Sequence, residues 1–518
     1  MTPHVLPPAF RSSWPRCIGR IVSRVALLAT MTLAQHFFTI AAAAQQPEVS
    51  GGITLQTALE TTLAHSPQVQ LGERQVKMGL GTLLLASAPF DAQLTTSLGT
   101  QRENNIAPGP ASELAATLTS TVAYSIGMPK RLRSGVVITP RVGVTRVSVA
   151  NVPGALTSRA NVNLDILVPL LRDRGGTVTA APERAAERGY EANILEARHA
   201  TAASILGAVV AYWNELAAEQ QLVDDTRLLV AADERPAADL EQLLANLALK
   251  RAARITGEQS GIEARQQLAL AMGVYGGDLA TLPRAITGFP EIRQDSGRSS
   301  GASPDPIAAA LARRADLAAL STRRAAADLQ LAASRSGLRS RLDLAASFGY
   351  AGLAADGGLA GAVSSFYRHV PGINASVQLS YELPLERLAA RGAALQDASA
   401  YDQARIREAE LVRQISTGVL VAREALRHSH LALRASRDAV ALSRQAVENE
   451  KRKFQLGMST LFDVILAEDA LTNARLGEIA GQHGYAIAIA RLRYESGSLL
   501  IVDGQRLTVS ADSATSPP

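Results

Sequence analysis

Residues 411–455 read LVRQISTGVLVAREALRHSHLALRASRDAVALSRQAVENEKRKFQ, and one column in them never misses: Val412, Val419, Leu426, Leu433, Val440, Val447 and Phe454 recur every seven residues. Beside it run Ala425, Ala432, Ala439 and Ala446, then Ser429, Ser436 and Ser443. A sustained seven-residue period imposes a left-handed supercoil, and small residues beside one large column let neighbouring backbones approach closely. Between Gly392 and Lys453 there is no proline and one glycine, Gly418. At 1.5 Å per residue that stretch predicts a helix on the order of 90–100 Å long. Leu195, Ala202, Val209, Leu216, Val223 and Val230 repeat the spacing earlier in the chain. A lone heptad pattern would mean an isolated coiled coil; here a return helix, a duplication and strands argue for a closed ring of helical hairpins.

Outward from this helix the same order occurs twice: helical stretch, strand, loop, strand, Pro-Leu turn, long helix, return helix. The strands are expected at about 90–100, 161–168, 341–350 and 374–383, and the turns into the long helices at Pro169 and Pro384. Phe90, Ala92, Leu94, Thr96 and Leu98 alternate with polar residues, as do Val162, Leu164, Ile166 and Val168. The second copy answers with Leu342, Leu344, Ala346, Phe348 and Tyr350, then Ala375, Val377, Leu379, Tyr381 and Leu383. Period two with one apolar and one polar face fits a membrane barrel strand, lipid outside and water inside, and equally a soluble sandwich. Aromatics at 4% are few for a sandwich core, which favours the barrel. Four strands cannot close a barrel, so other copies must complete it; three chains of four would give twelve. Two further candidates, TLTSTVAYSI (117–126) and GVVITPRVGVTRVSV (135–149), have no counterpart in the second copy. The sequence leaves open whether they join the barrel.

At the N-terminus, Arg16, Arg20 and Arg24 precede an apolar run, Val25–Ile40, that ends in four alanines. That order is a secretory signal peptide, with cleavage expected near Ala44-Gln45. Cys17 precedes the run and is badly placed for a lipid anchor, so the mature chain is expected to carry no thiol. No later segment is expected to span a membrane as a helix. The net charge of +5 includes four leader arginines and no leader acid, leaving about +1, which gives no reason to expect a nucleic-acid partner. The expected organisation is leader 1–44, first repeat 45–280, linker 281–310, second repeat 311–497 and a flexible tail 498–518. No Ser/His/Asp set, phosphate loop or Cys-His cluster supports catalysis, a cofactor or a metal, and His428 and His430 do not share a helix face. Arg313-Arg314 and Arg323-Arg324 read as solvated helix faces.

FQLGMSTLFDVILAEDAL (454–471) resembles the periplasmic tip of the second hairpin in TolC-like outer membrane efflux proteins. VPLLRDRG (168–175) and LPLERLAARG (383–392) resemble that family's strand-to-helix turns, and the ordered match runs from ITLQTALETTLAHSPQV (53–69) to LRYESGSL (492–499). The resemblance implies an α+β membrane protein: a homotrimeric twelve-stranded barrel, with a possible extra hairpin per chain, continuing into a coiled-coil helical barrel. It implies a passive exit duct in the outer membrane, fed through a periplasmic adaptor by an inner-membrane pump of RND, ABC or MFS type. A one-step protein secretion channel is a close variant. A structural surface protein such as a trimeric adhesin belongs to another class, but carries its barrel once, at the C-terminus.

Residue by residue, Asp463 matches the first of the family's paired tip aspartates, while the second position is Leu466, with Glu468 and Asp469 a turn later. The plainer reading of Asp463 is a helix cap. Aligning Gly273 with Gly497 sets Asp239 opposite Asp463. Phe454, Leu456, Gly457, Ser459, Thr460 and Leu461 form the expected adaptor-contacting tip; Ser459 and Phe454 replace the family's locking arginine and tyrosine. The first hairpin lacks one heptad near DERPAAD (233–239), so the second is expected to project further.

Overall fold

The computed structural model describes residues 52–108, 114–150, 156–233, 240–274, 283–292, 305–354, 372–503 and 506–518, all in the compact unit Ser50–Pro518. The leader expected at 1–44 lies outside them. In chain order come β1 (Gly52–Ile53), α1 (Leu55–His65), α2 (Pro67–Ser87), β2 (Thr95–Pro108), β3 (Leu114–Gly127), β4 (Lys130–Arg131), β5 (Val137–Val149) and β6 (Leu156–Pro169). Then follow α3 (Gly176–Thr179), α4 (Ala181–Asp233), α5 (Leu240–Met272), β7 (Arg284–Ala285), α6 (Pro306–Arg313), α7 (Ala315–Gly337), β8 (Arg341–Ala354) and β9 (Gly372–Glu382). The second hairpin, α8 (Leu388–Gln455) and α9 (Leu461–Glu495), precedes β10 (Ile501–Asp503), β11 (Arg506–Thr508) and α10 (Ala511–Thr515).

α8 runs 68 residues, about 100 Å, because nothing in it breaks the ladder. Its heptad column is its inner seam: Val419 and Leu433 are fully buried, Val440 and Val447 nearly so. Leu433 packs on Tyr485 and Ile489 of α9, and Val419 with Ile415 on Ala310 of α6. Gly481 lets the two arms close, since a Cβ there would lie 3.2 Å from the Leu433 Cα. The alanine column, in contrast, is exposed on the single chain, together with Leu420, Leu431 and Leu442. Both return helices, of 33 and 35 residues, end on a left-handed glycine, Gly273 (φ 73°) and Gly497 (φ 68°). The first hairpin's tip, residues 234–239, lies outside the described residues, and with it Asp239 and the comparison of tip depths.

The main sheet joins β2-β3-β5-β6-β8-β9 in antiparallel order, with β4 beside β5. The two candidates without a counterpart therefore do join it, as β3 and β5. The first strand starts later than its alternation suggests. Phe90 sits buried in a 3-10 turn after Pro89, and pairing begins at Thr95.

Two other expectations change, that of a flexible tail and that of solvated arginines. The described residues after Gly497 are folded: Ser513 and Ala514 are buried, and the Arg493 guanidinium donates to Ser516 and Pro517 at 3.0–3.1 Å. Residues Ala181–Val223 of α4 are long and apolar enough to cross a bilayer by composition. That stretch packs instead against α2, α5, α7 and α9, and it holds Glu215, 1% exposed, against Arg265. Finally, Arg314 is buried between Asp316 (2.7 Å) and Glu495 (2.6 Å), while Arg323 pairs with Glu196 (2.6 Å) and Arg324 with Glu408 (3.0 Å). These arginines tie helices together, whereas their sequence pattern read as solvated.

Candidate functional site: the sheet faces and the hairpin tip

Antiparallel register brings side chains of one parity onto one face. One row crosses all six long strands: Thr96, Ile126, Val142, Val162, Tyr350 and Ile373. The next row on that face is Pro140, Leu164, Phe348 and Ala375, followed by Ile138, Ile166, Ala346 and Val377. The opposite face carries Thr95, Gly127, Arg141, Asn163, Gly349 and Asn374, then Thr139, Asp165, Ser347 and Ser376. Large apolar side chains on the first face stand open: Ile126 55%, Phe348 52%, Ile373 83%, Val377 69%. On β6 this face runs from Ala160 to Val168, about 20–25 Å after strand tilt, close to the height of a bilayer's apolar band. The polar face carries Arg141 3.8 Å from Asp165, and the Ser347 hydroxyl donates to Asp165 at 2.6 Å.

Two turns hand the sheet to the long helices. After Pro169, Asp173 (φ 59°) and Gly175 (φ 93°) take left-handed backbone; after Pro384, Arg387 (φ 52°) does the same directly before α8. The near-equal spacing from each proline makes the two turns one motif used twice. Gly135 (φ 96°) is forced by the first: a Cβ there would lie 2.4 Å from the Asp173 carbonyl oxygen.

At the second hairpin's tip, Gly457 (φ 72°) closes α8 and Thr460 opens α9. The Asp463 carboxylate accepts from the Thr460 hydroxyl (2.6 Å) and backbone N–H (2.9 Å), while the Asp463 N–H donates to the Thr460 hydroxyl (3.3 Å). This is a reciprocal capping box. The Thr460 bonds hold the Asp463 carboxyl below its ordinary range. The Ser459 hydroxyl bridges Glu450 and Asp463. Glu468 pairs with Lys451 (3.4 Å), and Asp469 reaches Lys250 of α5 (2.9 Å), joining the two hairpins. Asp463, Glu468 and Asp469 are thus engaged within the chain, and capping was legible in the Thr-x-x-Asp spacing. Around them Phe454 (45%), Leu456 (72%), Met458 (69%) and Phe462 (49%) stand open. Gly457, Ser459 and Leu461 complete the same turn.

Sequence reasoning missed the buried Glu215. Burial pushes its carboxyl up, opposed by the Ala285 N–H at 2.7 Å and by Arg265. An acid inside an amphipathic helix looks solvated unless its distant partner is known.

A single sheet apolar on one face and polar on the other, carried on duplicated coiled-coil hairpins, is an arrangement suited to the wall of a membrane channel. Comparisons agree. Residues 307–498 match the family profile described as "Outer membrane efflux protein". The fold is that of a membrane protein from Pseudomonas aeruginosa (16% identity, 86% of this chain and 90% of that one, TM-score 0.62). It is also that of the Campylobacter jejuni CmeC outer membrane channel (13%, 96% and 94%, 0.61) and of the Neisseria gonorrhoeae MtrE outer membrane channel in its open state (14%, 86% and 88%, 0.59). No curated protein sequence matches. Residues 307–498 thus carry that family's sequence profile, and the described chain shares the fold of the solved channels.

Proposed function

We propose that three copies of this chain form a passive exit duct through the outer membrane, receiving solutes from an inner-membrane pump through a periplasmic adaptor. The observation that carries this reading is the sheet. Its apolar face demands lipid, yet among the described residues β2 and β9 end it with unpaired edges, and lipid tolerates no open edge. Further copies must close it. The exposed alanine column of α8 and the open Leu249 and Leu270 of α5 give those copies helical surface to cover. A duct needs no chemistry from its wall, because the pump supplies the energy.

The open apolar side chains of the tip fit an adaptor, and Asp463, repeated three times around the axis, would favour cations at the constriction. Asp239, Glu468 and Asp469 would add to that ring. Native mass spectrometry of the detergent-extracted protein should give three times the mature chain mass; a monomer would refute the duct. Leu456→Asp with Phe462→Asp should abolish adaptor capture and leave the trimer intact. Capture at the unmodified level would take the tip out of the adaptor interface.

A further inference from the structure

Twelve strands, four from each of three chains, follow from the family resemblance. We propose instead that this chain contributes six, so that the closed barrel has eighteen strands (three times six) and a correspondingly wide, polar lumen. The inference rests on the duct reading above and departs from it only in the barrel's size.

Two independent observations carry it. First, the additional strands have the two-faced chemistry of the rest. β3 puts Tyr124 and Ile126 on the apolar face and Ala123 and Ser125 on the other; β5 puts Val142 and Val144 on the apolar face. A hairpin lying outside the barrel, over water, would have no reason to keep an apolar row unbroken from β6 through β5 and β3. Nor could β3 and β5 leave the ring singly: β3 pairs with β2 on one side and with β5 on the other, and β5 continues to β6. Removing them would leave β2 without a partner in the chain, because among the described residues it pairs with β3 alone.

Second, the hairpin's lower turn is built into the body. The Gln93 N–H donates to the Pro129 carbonyl (3.2 Å), and the Gly175 N–H to the Ser134 carbonyl (3.1 Å). The Arg133 guanidinium grips Glu183 of α4 through two bonds, 2.6 and 2.7 Å, and lies over the Phe90 ring at 5.3 Å. The inserted strands therefore begin at the level where β6 turns into the helices, and span the full band.

The edges left over, β2 and β9, suit one another. β2 leads away from the helices and β9 returns to them, so β9 of one copy can pair antiparallel with β2 of the next. With strands about 4.8 Å apart and tilted about 40°, eighteen give a barrel about 36 Å across between backbones, and twelve about 24 Å. One row of the inward face is small throughout, Ser97, Ser125, Gly143, Asn161 and Ala351, while Arg141 and Arg159 stand in the rows on either side. Such a lumen admits cargo larger than a twelve-stranded exit passes.

The test uses the full chain in lipid nanodiscs with a single spin label. Ala345→Cys faces the lumen and Ala346→Cys the lipid, so averaging the two dipolar distances cancels the reach of the label. Three-fold copies on an eighteen-stranded ring stand about 31 Å apart, and on a twelve-stranded ring about 21 Å. A conducting trimer whose average matches the wider of these spacings is expected. A conducting trimer at the narrower spacing overturns the wide barrel and leaves the duct standing. An assembly that is not a trimer, or does not conduct, overturns the duct reading itself.

Discussion

Val377 and Gln378 are neighbours on β9, opposite Ala346 and Ala345 of β8, and so belong to opposite faces of the sheet. If the apolar face meets lipid, Val377→Arg places a guanidinium near mid-band, where the cost is about 2–4 kcal/mol per chain. At about 1.4 kcal/mol per decade this is a roughly 30- to 800-fold loss in the folding equilibrium, borne by every copy in the assembly. Gln378→Arg puts the same charge on the water-facing side and should cost close to nothing. Neither change removes a buried side chain, since Val377 is 69% exposed in the single chain and Gln378 is exposed as well. The folded fraction recovered in phospholipid vesicles across a urea series measures both variants against the parent. Equal midpoints for the two, or a larger loss for Gln378→Arg, would refute the assignment of faces.

Leu433→Ala empties a fully buried position between Tyr485 and Ile489 and should destabilise the second hairpin by about 2–5 kcal/mol, read as an earlier denaturation midpoint of the assembly. Asp463→Ala removes a capping box, with local fraying of the α9 N-terminus in hydrogen exchange, and by the proposed ring of acids it also lowers cation selectivity; fraying with unchanged selectivity would leave Asp463 a cap alone. The Arg133 bonds hold the Glu183 carboxyl below its ordinary range, so this anchor contributes fully above the unfolded pKa of about 4.3 and is lost as pH falls through the lower folded value. Protease protection of residues 128–136 should therefore drop in acid, and Arg133→Ala should remove that pH dependence; a drop persisting in the variant would assign it elsewhere.

The long helices were legible because a seven-residue column is a local signal, and Val419, Leu433, Val440 and Val447 obey it in the fold. Strand identity was legible for the same reason. Strand partnership was not: β3 and β5 show their alternation in the sequence, but their place between β2 and β6 depends on pairing with segments distant along the chain. Alternation also misled at Phe90–Leu94, where a period-two pattern continues through backbone that has no strand partner. The arginines at 314, 323 and 324 read as solvated because their acids, Glu495, Glu196 and Glu408, sit on other helices that only the fold brings near. At the tip, Thr460 and Asp463 were readable as a cap because capping is local.

If closed copies of this sheet make a water-filled path through lipid, purified trimer added to a planar phospholipid bilayer must conduct. Discrete current steps are predicted, enlarged when the helical tip is loosened by Asp463→Arg, which breaks the capping box and turns the attraction to Lys453 into repulsion. A trimer that inserts yet passes no current, with the tip intact or broken, would contradict the water-filled path.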